Sequence, residues 1–448
     1  METGEKIRWI RKFKNLTQGE LVEGIASVTY ISRVETGRVE PSPSFLNKVS
    51  KKLGITSEYL TNTLNENRNK LRQLILNYKN NVHLLNESDL FYLQMSALEM
   101  HSQNDLTNIY GILISYYTIN NHLDEAEKLV GRSVKLISNK NIDKRNFPHF
   151  FYYNKAIGNY YYAKQFYEDA KFYYSIAERY ITDETSIESG HLYYNYSLVY
   201  QQIFEEINIS LIYTNKALQI YKMHNHEENI IKTMILLAQQ YRDLHRIEDA
   251  LSNLKKAQKL LLEHELNHIL YSEIQYNIGK VYQKINKDTH AIQYFKSTLQ
   301  ISQPFIQTKL SDMNGSVPHI KIYAYACKGL VEVLYKQKDW EDVQFYFSTA
   351  FDISCHHHLP HLYIELKAIK ANIYKYKENH IFYEKEMKEA IQYALDHKHY
   401  VITKKLATEL GDYYFENKYY KKSVDYYRLA RNHTQNILDS SVEFSSVL

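Results

Sequence analysis

The sequence predicts an all-α protein, a small basic helical head followed by a long array of helical hairpins. Three observations carry this: apolar residues recur at helical spacing, a motif returns about every forty residues, and only six prolines interrupt 448 residues. The prolines are Pro41, Pro43, Pro148, Pro304, Pro318 and Pro360, so long helical runs are permitted between them.

In the head, Ile7, Ile10 and Phe13 fall on one face of a first helix, with Arg8, Arg11 and Lys12 on its other faces. Thr17-Gln18-Gly19-Glu20 reads as a capping box that starts a second helix, Gln18 to Ile25. Ser27 is the expected N-cap of a third, Val28 to Glu35, burying Val28, Ile31 and Val34 and turning Thr29, Tyr30 and Arg33 outward; Gly37 ends it. Ser42-Pro43 opens a fourth, with Phe45, Leu46, Val49 and Leu53 as its apolar stripe and Gly54 as its stop.

The string Leu16-Thr17-Gln18, Leu21, Ile31-Ser32-Arg33-Val34-Glu35-Thr36-Gly37 and Pro41-Ser42 resembles the phage-repressor (Xre or Cro/C1) helix-turn-helix over about fifty residues. That resemblance implies that the third helix enters the major groove of double-stranded DNA. Thr29, Tyr30 and Arg33 would then meet base edges, Gln18 and Arg38 phosphates, and Ser27 the same surface at the helix start. Charge agrees: residues 1–52 hold ten Lys or Arg against six Asp or Glu, while the rest carry 45 of each.

From about Ile114 a motif recurs: a small residue, Tyr three later, Ala nine after that, an aromatic or apolar residue four later, a small residue three further on. Gly158, Tyr161, Ala170, Tyr174 and Ala177 obey it, as do the sets beginning at Ala238, Gly279 and Gly411. Looser copies begin at Ile114, at Ser197 (with Tyr200, Ile209, Tyr213) and at Ala371; another, around Leu334, Val343, Phe347 and Ala350, follows an insertion containing Pro304, Gly315 and Pro318. The pattern resembles the tetratricopeptide repeat, in which stacked hairpins bury one another's faces and wind into a superhelix with a concave wall. Most of the 43 tyrosines are thereby assigned to packing. The period exceeds the usual one of about thirty-four, which implies longer helices or loops.

Head and array together resemble the Gram-positive quorum-sensing regulators grouped as Rap, Rgg, NprR, PlcR and PrgX, and the head is similar to the PlcR and NprR type. The resemblance implies a dimeric transcriptional regulator, an activator, gated by a short signalling peptide in the concave groove and bound to a palindromic promoter site. The expected division is a DNA-binding domain at 1–60, a linker helix at 61–76, a sensing and dimerisation domain at 77–440 and a tail at 441–448. Positions six, three and two before the small landmark, and one after it, are expected to face the groove. They give Tyr152, Lys155 and Asn159; Tyr194, Asn195 and Leu198; Lys232, Ile235 and Gln239; Glu273, Tyr276, Asn277 and Lys280. Asn159, Asn195, Gln239 and Asn277 suit peptide amides, and Lys155, Lys232 and Lys280 a peptide carboxylate.

Other readings remain. A Rap-like protein would grip a phosphorelay response regulator, and a metabolite- or redox-controlled repressor would use Cys327 or Cys355. The Cys355-His356-His357-His358 run with His361 holds metal donors, but adjacent residues diverge, and no metal or cofactor is expected. No phosphate loop, dinucleotide fingerprint or nucleophile elbow is present, so no enzyme is expected. Two cysteines and the lack of eighteen consecutive apolar residues fit a cytoplasmic protein with no membrane partner.

Overall fold

A computed structural model describes residues 3–431, apart from 15, 56, 62–63, 100, 139–141, 204–206, 265–267, 308–312 and 398. The expected tail, 441–448, lies outside the described residues. Among the described residues there are helices and no strands, in two compact units, Met1–Thr182 and Asp183–Leu448. No helix among them is long and apolar enough to cross a membrane.

The first unit opens with the head: Thr3–Phe13, Gln18–Val22, Val28–Glu35, Pro43–Leu53 and Ser57–Thr61. Both halves of the Thr17–Glu20 capping box form, and the Ser27 and Ser42 hydroxyls accept the amides of Tyr30 and Phe45. The second helix stops at Val22, shorter than expected, because the chain turns through Gly24 at φ 72. Val28 is 51% exposed rather than buried: it occupies the first position of its helix, where the turn that would cover it is absent. Arg11 is withdrawn from solvent into an ion pair with Glu35.

The head is fastened to the rest of its unit. Lys6 Nζ donates to the Tyr59 carbonyl at 3.3 Å, the Tyr59 ring meets Tyr92 edge-on at 4.8 Å, and the Tyr59 hydroxyl donates to Glu99 at 3.1 Å. Helix Leu64–Tyr78 follows, then Glu87–Ser96 and the hairpins Gln103–Ile119 with Leu123–Leu136 and Phe147–Ala163 with Tyr167–Arg179.

The second unit continues as hairpins: Ile187–Gln202 with Ile207–Met223, Glu227–Asp243 with Ile247–Glu263, His268–Lys284 with Asp288–Gln307, Met313–Leu334 with Trp340–His356, and Pro360–Tyr376 with His380–Asp396. Tyr400–Glu416 and helical residues 420–431 close it. The long period has a plain origin. Many of these helices are seventeen residues long and joined by three, so a hairpin and its onward connection take about forty. In connection after connection the middle residue is left-handed, as at Asn121, Gln165, Asn225, His245, Asn286 and Glu378. The third residue donates back to a carbonyl in the last turn, as Arg246 does to Tyr241 and Asn379 to Tyr374, which closes the helix end. The segment holding Pro304, Gly315 and Pro318 lengthens the two helices on either side of it, with Pro304 and Pro318 inside them.

The small-to-aromatic seam is visible at contact distance. A Cβ on Gly158 would lie 2.3 Å from the Tyr174 ring, on Gly279 2.7 Å from Phe295, and on Gly411 2.8 Å from Tyr427. Gly329, in the following hairpin, lies against Phe295 too, so that ring is clamped between two glycines. One copy is displaced: Ser210, Thr214 and Ala217 fill the buried positions after Ser197, and Ile209 is exposed. The Gln240 amide reaches Ser210 and Thr214 at 2.7 Å, while Tyr213 swings out to stack on Tyr200.

Candidate functional site

Two surfaces carry chemistry beyond packing. On the head, Thr29 and Arg33 stand exposed on one side of Val28–Glu35, with Ser27 exposed at its start and Arg38 just beyond its end. Two of the expected contact residues are also engaged within the head. Tyr30 is half-buried, edge-on to Phe45 at 4.9 Å with its hydroxyl accepting the Ser42 amide, so it also serves the core. Gln18 does not project freely, because its amide donates to Glu35 at 2.8 Å. Glu35 takes Arg11 through both oxygens, at 2.6 and 2.8 Å, and Arg11 also donates to the Leu16 carbonyl. Burial pushes the Glu35 carboxyl up, but the Arg11 and Gln18 hydrogen bonds overcome it and hold it below its ordinary value. This closed polar knot ties the first three helices together and fixes the angle at which Thr29 and Arg33 are presented.

The expected groove residues divide between the units. In the first, Tyr152 is buried against Gly111, where a Cβ would come within 2.7 Å of its ring. Lys155 is half-buried over the Phe151 ring, and Asn159 accepts the Tyr174 hydroxyl at 2.7 Å. In the second, Tyr194 and Asn195 are half-buried, Ile235 is buried, and Gln239 accepts a 3.4 Å bond from Gln201. Lys232 is paired with Glu228 and Lys280 with Glu332, so neither is the free cation expected for a peptide carboxylate. Tyr276 lies between the Phe295 and Tyr325 rings. Asn277 is buried; its amide donates to the Glu273 carbonyl, and its Oδ1 has no hydrogen-bond partner.

The same register continues along the second unit. Carried on to landmarks Val331, Ala371 and Gly411, the same four offsets select Lys328, Glu332, Glu365, Ala368, Ile369, Asn372, Lys405 and Glu409, among others. Those eight residues line one cleft of about 280 Å³ in the second unit, together with Gln283, Tyr335, Lys336, Ile402 and Leu406. At one end Lys328 sits 2.8 Å from Glu365 and 3.6 Å from Glu332, and Glu332 also takes Lys280 and Gln283 at 2.9 Å. Burial pulls the Lys328 ammonium down and the carboxyls up, yet their mutual attraction prevails. Lys328 is held above the ordinary lysine value, Glu332 at about 2, and Glu365 far below the carboxylate range.

Cys327 is buried in the core, which pushes its thiol up to about 12 and keeps it from thiolate chemistry. Among the described residues no group of three or more His, Cys, Asp or Glu is arranged to hold a metal, the Cys355 to His361 run included.

Residues 7–60 match the helix-turn-helix family and residues 229–303 the tetratricopeptide repeat family. The sequence is 25% identical over 286 residues to response regulator aspartate phosphatase A of Bacillus subtilis (strain 168), covering 62% of this chain and 68% of that protein. It is 25% identical over 285 residues to transcriptional activator NprA of Geobacillus stearothermophilus, covering 62% and 67%. The solved structure of NprR in complex with its cognate peptide NprX shares the fold, with a TM-score of 0.58 at 18% identity over 82% of this chain and 98% of that one.

Proposed function

We propose that the chain is a sequence-specific DNA-binding activator gated by a short peptide, a reading supported by its likeness to helix-turn-helix and tetratricopeptide proteins of the Rap and NprR type. The observation that carries this reading is the joining, in one chain, of an exposed Thr29 and Arg33 face with a cleft lined by charged and apolar residues at one repeat register. Arg33 reads guanine, Thr29 a neighbouring base edge, and Ser27 and Arg38 the flanking backbone. Two heads in a homodimer grip two half-sites of a palindrome, since one recognition helix covers only one. The peptide lies along the inner faces of the second unit's hairpins, where the buried Asn277 Oδ1 takes a peptide N–H.

The test is capture of genomic fragments by the purified full chain, then footprinting with and without short peptides encoded beside its own gene. A palindromic site whose occupancy one such peptide changes is the expected result. DNA binding indifferent to every peptide defeats the gating half. The likeness to an aspartate phosphatase supports a second reading, in which the repeats hold a response regulator, and a stable complex of the chain with a purified response regulator of the same cell would favour it.

A further inference from the structure

We infer that the cleft lined by the last four hairpins is the end pocket of the proposed peptide groove, built for a C-terminal residue with an apolar side chain and a free carboxylate. The inference rests on the peptide reading above. Its first support is size: about 280 Å³ falls at the lower edge of small-molecule pockets, roughly 300 to 1,000 Å³, so it houses one end of a ligand and not the whole. The second is the distribution of charge. Lys328, Glu332 and Glu365 neutralise one another at one end with the help of Lys280, so a ligand charge placed there would have to break buried pairs. Lys336 and Lys405 are exposed and form no ion pair with any described residue, and Glu409, half-buried, is the one lining acid that forms none either. Two available cations against one anion favour a carboxylate over an ammonium.

The third support is the floor. Ala368, Ile369, Ile402 and Leu406 give an apolar surface beside those lysines, which suits a Leu, Ile, Val, Met or Phe side chain one bond from the carboxylate carbon. Asn372, at the same register offset as Lys280, is placed to hold the last peptide unit.

The experiment uses the full chain and two random seven-residue peptide pools that differ only in ending as free acid or as amide. Bound peptides are separated from unbound and weighed by mass spectrometry. The expected result is retention of free acids over amides by about tenfold or more, with apolar final residues enriched, and loss of that preference in Lys336→Gln/Lys405→Gln at unchanged melting temperature. Equal retention of acids and amides, or a preference that survives the double substitution, overturns the end-pocket assignment and leaves peptide binding standing. Retention of neither pool overturns both.

Discussion

The head and the second unit each bury a cluster of opposite charges, and they use it in opposite ways. In the head, Glu35 is saturated by Arg11 and Gln18, away from solvent, and the residues offered to a partner are others, Thr29 and Arg33. In the second unit, Lys328, Glu332 and Glu365 are themselves part of the cleft wall. A closed cluster fixes geometry at a distance; an open one also decides which ligand charges are admitted.

The largest effects come from opening either cluster. Lys328→Ala leaves two carboxylates facing each other and Glu35→Ala leaves Arg11 buried without its partner; each is expected to cost about 3–5 kcal/mol in denaturant unfolding. Acid should weaken both clusters, since Glu35 and Glu332 are each held below the ordinary glutamate value. The Glu332 carboxyl is lowered in the folded chain, so its stabilisation is whole above the ordinary glutamate range and disappears as pH falls toward about 2. Lys328→Ala should flatten that acid limb, and an unchanged limb would show that the pairing stabilises nothing.

The next effect separates presentation from contact. Arg33→Ala should weaken specific DNA binding by about 1–3 kcal/mol, roughly 5- to 150-fold, without moving the unfolding transition, because Arg33 is exposed. Glu35→Ala weakens binding too, but only together with stability. If Arg33→Ala binds the selected site as tightly as the native chain, the exposed face is not the reading surface.

The same contrast explains what could be read beforehand. The head's helix starts were legible because caps are local: Thr17, Ser27 and Ser42 each act within three residues. The Arg11–Glu35 pair was not, since nothing near Arg11 announces a partner 24 residues away. In the array the seam was legible at Gly158 and Gly279 and slipped at Ser197, where the connection to the next helix gains a residue and Thr214, not Tyr213, takes the seam position. Tyr152 shows the other weakness. Register states which side of a helix a residue is on, but not that a large ring folds into a glycine gap such as Gly111.

Seam glycines offer a smaller and sharper test. Gly158→Ala must move Tyr174, a fully buried ring hydrogen-bonded to Asn159, and is expected to cost about 1–3 kcal/mol. Gly131 meets nothing within 4 Å of its added Cβ, so Gly131→Ala should instead gain about 0.5–1 kcal/mol from helix propensity. Equal effects of the two in thermal unfolding would mean that the seam is not closely packed.

The smallest effect belongs to the connections. Glu378 is left-handed at φ 57 between Pro360–Tyr376 and His380–Asp396, a conformation in which its Cβ crowds the backbone. Glycine removes that crowding but is freer when unfolded, so the two contributions oppose each other. Relief of strain, roughly 1–2 kcal/mol, exceeds the added chain entropy, and Glu378→Gly should raise the stability of the second unit by about 0.5 kcal/mol. The same change at Asn286, whose side chain tolerates the left-handed region, should gain less. A gain at Asn286 equal to that at Glu378 would place the cost of these turns in the unfolded chain rather than in the folded backbone.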